Sequence, residues 1–91
     1  MNMDIDTTLL NTATEIAQEV FSKQTADELQ GLKEHFGKAY SEIRIVSEIA
    51  VKLIMRLTYN AQVSRGFTPI TLLVLEAEHT YRTRDAVNAP A

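Results

Sequence analysis

Apolar residues recur along this chain at steps of three and four, the spacing of one face of a helix. Nowhere do they alternate with polar residues between turn signals, as a half-buried strand would require. Leu9, Leu10, Ala13, Ile16, Ala17, Val20 and Phe21 define one apolar stripe, with Glu15, Gln18, Glu19 and Ser22 opposite. The pattern predicts an amphipathic helix over about 7–23, entered through Asp6 or Thr7 as a cap. Thr25-Ala26-Asp27-Glu28 then has the form of a capping box, a hydroxyl and a carboxylate each satisfying a free N–H of the first turn. From there Leu29, Leu32, Phe36, Ala39, Ile43, Val46, Ala50, Leu53 and Leu57 keep a heptad rhythm that no proline interrupts.

This rhythm predicts one long central helix over about 26–64, roughly 58 Å at 1.5 Å per residue. Gly37 is the weak point and Ser41 a secondary cap, so a break near 37–42 would give four helices instead of three. If the helix runs through, Gly37→Ala is expected to be neutral or stabilising, since alanine is the better helix former. Arg65-Gly66-Phe67 supplies a stop, and Thr68-Pro69 a new start with proline at the first helical position. The last helix, about 69–86, carries Ile70, Leu73, Val74, Ala77 and Tyr81 on one face, with a tail over 88–91. The expected fold is a single all-α domain: a small bundle built on the long helix, with the first helix folded onto its start and the last onto its end. Residues 76 and 79 should then lie beside 57 and 54.

The apolar surface of Ile43 to Leu57 exceeds what two flanking helices cover. Ile45, Ile49, Val51, Ile54 and Met55 lie off the heptad seam, and Ile45, Ile49, Val51 and Met55 are the expected self-association or partner surface, with a homo-oligomer expected. Size points the same way. A chain of 91 residues leaves a marginal core of its own, and oligomerisation is a common remedy.

Composition narrows the chemistry. Hydrophobic residues are 45% and charged residues 23%, ordinary for a globular chain, and the net charge of −3 lacks the basic excess usual in a general nucleic-acid binder, so no such partner is expected. There is no cysteine, which excludes disulfides and cysteine-bearing zinc sites. Arg44, Glu48, Lys52 and Arg56 interrupt the densest apolar stretch, so no membrane span is expected there. The first basic residue is Lys23, so no basic region precedes an apolar one and a cytoplasmic protein is expected.

Four candidate sites have structural alternatives. Glu76-Ala77-Glu78-His79 contains the Glu-x-x-His spacing of helical di-iron sites, but no second carboxylate is expected beside it. Arg56 should pair with Glu76 or Glu78, and no metal or other cofactor is expected. Arg82 and Arg84, with His79, form a basic helix end that could hold a small anion or nucleotide; the same cations would equally favour a helix C-terminus. Phe67-Thr68-Pro69 could be the turn of a helix-turn-helix, yet Ile70-Thr71-Leu72-Leu73-Val74-Leu75 is too apolar to read a major groove. His35-Phe36-Gly37-Lys38 resembles the His-x-x-Lys of histidine phosphotransfer domains, which implies an exposed phosphoryl-accepting imidazole steadied by lysine; Ala39 stands where those domains usually carry glycine.

No phosphate-binding glycine loop, nucleophile elbow or spaced Ser/His/Asp set is present. If the long helix breaks near Ser41, length and helix order are similar to the small four-helix immunity proteins that protect bacteria from their own bacteriocins, though the chain carries no diagnostic motif of theirs. The expected function is a non-enzymatic interaction protein, an inhibitor, immunity factor or adaptor. A small-anion binder and a metal-binding helical dimer are the alternatives.

Overall fold

The computed structural model describes residues 7–59 and 69–88, with side chains described through residue 84. Its elements are α1 (Thr7–Ser22), α2 (Ala26–Phe36), a short 3-10 turn (Gly37–Ala39), α3 (Glu42–Tyr59) and α4 (Pro69–Asn88). The described residues contain no strand, and the four helices pack into a small all-α bundle. Asp6 and Thr68 as caps, and Arg65-Gly66-Phe67 as a stop, lie outside the described residues.

Local chemistry sets the boundaries. At the end of α1, Gln24 Nε2 donates to the Val20 carbonyl at 3.0 Å, and Ser22 Oγ donates to that of Glu19 at 2.7 Å. Lys23 N–H also reaches both carbonyls at 3.2 Å, so the two side chains add second donors to carbonyls of the last turn. The capping box forms as expected: Glu28 N–H donates to Thr25 Oγ1 at 3.1 Å, and Thr25 N–H donates to Glu28 Oε1 at 2.8 Å.

The helix predicted over 26–64 is two helices, with the break inside the 37–42 window. Gly37 has φ +56° and ψ −126°, while its N–H still bonds to the Lys33 carbonyl. That conformation matches the first central position of a type II′ turn, about +60°, −120°, which favours glycine strongly. Ser41 then caps α3: its Oγ accepts from Arg44 N–H at 3.4 Å and its carbonyl from Ile45 N–H at 2.9 Å. The seam is interrupted at the turn, where Ala39 is exposed and Ile43 is 80% exposed, and resumes at Val46, Ala50 and Leu53, which are buried.

Helices α1, α3 and α4 each pack against the other two, and α2 lies against α4. The first helix therefore folds onto the second half of the predicted long helix, not onto its start. Ala13, Ile16, Ala17, Val20, Ile45, Ile49, Leu53, Val74 and Ala77 are almost wholly buried in one core. Leu32 is the one buried residue of α2, and Leu29, Phe36 and Tyr40 pack partly against the same cluster. Among the described residues no buried side-chain nitrogen or oxygen lacks a hydrogen-bond partner. No helix of the described residues is long and apolar enough to cross a membrane.

Candidate functional site

Among the described residues, four of the six large apolar side chains left exposed lie on the outer face of α3. Ile43 is 80% exposed, Val51 52%, Met55 45% and Tyr59 63%. With Ser47, also exposed, they stand four residues apart, a spacing that shifts each side chain ~40° around the axis, so the row winds through ~160° between Ile43 and Tyr59. The result is one continuous ridge of the kind that helices insert into a neighbour's groove. From Ile43 to Tyr59 it runs about 24 Å at 1.5 Å per residue. Arg44, Glu48 and Lys52 form one flank of the ridge, and Lys52 Nζ lies 3.8 Å from Glu48 Oε1. Leu10 and Leu72 are also exposed, on α1 and α4; scattered apolar side chains of that kind are ordinary on a protein surface.

The expected contact set divides here. Val51 and Met55 belong to the ridge, whereas Ile45 and Ile49 are both 0% exposed within the single chain. Both must be removed from the contact surface. Arg56 lies seven residues beyond Ile49, almost on the same helical line, and Arg56 bonds to Glu78 of α4. That side of α3 thus faces α4, while Val46 and Ala50 continue the buried surface around the helix. Helix α3 is covered by α1 as well as α4, so its core stripe is wider than a heptad seam. Ile43, assigned to the seam, lies outside it.

The arginines of α4 already have partners. Glu78 accepts from Arg56 Nη2 at 2.7 Å and Nε at 3.1 Å, and from Arg82 Nη2 at 3.0 Å. Arg56 thereby pairs with one of its two expected partners. The hydrogen bond from Arg56 does most to hold the Glu78 carboxyl below its ordinary 4.5, against the opposing effect of burial; Arg82 lowers it further. Arg84 Nη2 donates to Glu19 Oε1 of α1 at 2.8 Å, and Lys23 Nζ to Glu19 Oε2 at 3.2 Å. Glu19 is also held below 4.5, first by its hydrogen bond with Lys23 and then by its charge. These contacts tie α4 to α3 and to α1.

The expected anion site of Arg82, Arg84 and His79 does not assemble. Two residues apart on a helix, Arg82 and Arg84 point ~160° away from each other, and each faces a carboxylate. His79 is exposed, with Nε2 3.5 Å from Thr83 Oγ1. Glu76 is exposed too, and among the described residues no three histidine or carboxylate side chains are grouped to hold a metal ion. His35 sits in the last turn of α2, edge-on to Phe36 with ring centroids 5.0 Å apart. Lys38 lies beyond the helix end, in the 3-10 turn. The pair therefore does not share one helical face, as the phosphotransfer arrangement would need.

Sequence reasoning missed the role of Glu19, which it placed on the solvent face. Lys23 four residues on is a legible pair, but Arg84 is 65 positions away and nothing local announces it. No protein-family model matches the chain, and comparison with curated proteins and with solved structures finds no match.

Proposed function

We propose that this chain is a non-enzymatic interaction protein that docks through the ridge Ile43, Val51, Met55 and Tyr59 of α3. The observation that carries the reading is the exposure of these four apolar side chains in one line on one helix. Leaving such a line in water costs about 25 cal/mol per Å² of apolar surface, and contiguous apolar patches commonly mark contact sites. A partner would set an apolar groove or helix face on the ridge and meet the charged flank of Arg44, Glu48 and Lys52 at its edge. The core already holds Ile45 and Ile49, so docking needs no unfolding. Within this reading the protein works in the cytoplasm, as an inhibitor, immunity factor or adaptor.

Site-specific photocross-linking in the source cell tests the proposal. A cross-linking side chain at Val51 or Met55 should give discrete protein adducts, while one at Glu34 on the exposed side of α2 should not. Equal labelling from the ridge and from Glu34 would refute it.

A further inference from the structure

Resting on that docking reading, we propose that the partner seated on the ridge is a second copy of this chain, its α3 antiparallel to the first across a two-fold axis near Ala50. The charged flank supports this choice. A two-fold perpendicular to both helices places the same flank of each copy side by side, with the chain direction reversed. Glu48 and Lys52 lie two residues on either side of position 50. At 1.5 Å per residue, each Glu48 then stands level with Lys52 of the second copy. Glu48 and Lys52 exchange two ion pairs in this register, while Arg44 stands level with Arg56, whose guanidinium is already held by Glu78. A parallel pair would instead set the charged flank against the flank of Thr58, with no exchange.

The ridge fits the same axis. In this register the side chains of the two ridges alternate about every 3 Å along the axis. Val51 of one copy sits next to Val51 of the other, and Ser47 falls between Val51 and Met55 of the second copy. A small residue beside a long flexible one lets the ridges interdigitate. Closed two-fold pairing of this kind is the commonest route to a homo-oligomer. One helix face is smaller than the ~800 Å² per partner of a standard interface, so the pairing is of the weak, transient kind and is sought at high concentration.

Sedimentation velocity over a micromolar to near-millimolar series tests the pairing, with helicity of every variant checked by circular dichroism. Wild type should pass from monomer to dimer, and Val51→Glu should remain monomeric while folded. Glu48→Lys and Lys52→Glu should each weaken self-association about tenfold, because each faces like charges across the axis. Mixed one to one, the two variants should recover near-wild-type association, since each lysine at 48 then meets a glutamate at 52. High salt should remove the recovery. A wild type that stays monomeric overturns the second-copy proposal and leaves the docking reading to the cross-linking result. A dimer that survives Val51→Glu, or variants that show no recovery on mixing, also overturns it.

Discussion

Replacing Gly37 with alanine should destabilise the fold, the reverse of what a continuous helix implies. A Cβ at Gly37 would meet nothing within 4 Å, so no collision contributes. The cost is in the backbone itself, at φ +56° and ψ −126°. A non-glycine residue held in such a region costs ~1–3 kcal/mol. Alanine recovers ~0.4–1 kcal/mol by restricting the unfolded chain. The difference runs from about 0 to 2.6 kcal/mol and centres on ~1 kcal/mol, or roughly 4–8 °C in Tm for a domain of this size. Gly31 provides the internal control. It lies inside α2, its added Cβ would also meet nothing within 4 Å, and its φ is not positive. Gly31→Ala should therefore stabilise by ~0.5–1 kcal/mol. Thermal and urea denaturation of both variants, followed by circular dichroism, gives the comparison. A Gly37→Ala protein stabilised as much as Gly31→Ala would refute the turn and restore the unbroken helix.

Leu32→Ala should cost ~2–3 kcal/mol, and amide exchange should quicken through α2 before α1, α3 or α4, because Leu32 is the one buried residue of that helix. Thr25→Ala should cost ~1 kcal/mol in urea denaturation by removing the hydroxyl of the capping box. Acid should weaken the bundle through Glu78 and Glu19. Both carboxyls are held below 4.5 in the folded chain, so their contribution is complete above the unfolded value and is lost as pH falls through the folded one. Tm should accordingly hold from neutrality to about pH 5 and then decline, with a shallower decline in Glu78→Gln.

Much of the fold was legible because its signals are local. Thr25 and Glu28 announce a cap within four residues, Pro69 opens α4, and the stripe from Ala13 to Phe21 is the buried face of α1. The break at Gly37 was legible only as a possibility. Heptad spacing continued through it because Ile43 happens to fall on the seam, although the turn leaves that residue in water. The candidate surface was half legible for a related reason. Periodicity finds an apolar side of α3, but the burial of Ile45 and Ile49 depends on two helices covering α3 from different directions. That is tertiary information, as is the pairing of Glu19 with Arg84.

Methyl NMR of the wild-type chain, recorded from micromolar to millimolar concentration, tests the assignment of the α3 ridge as a contact surface for a second copy most directly. The methyls of Ile43, Val51 and Met55 should show concentration-dependent shifts. Those of Ile45 and Ile49, sealed in the core, should stay nearly fixed. Shifts confined to other surfaces, or ridge methyls that do not respond at any concentration, would contradict it.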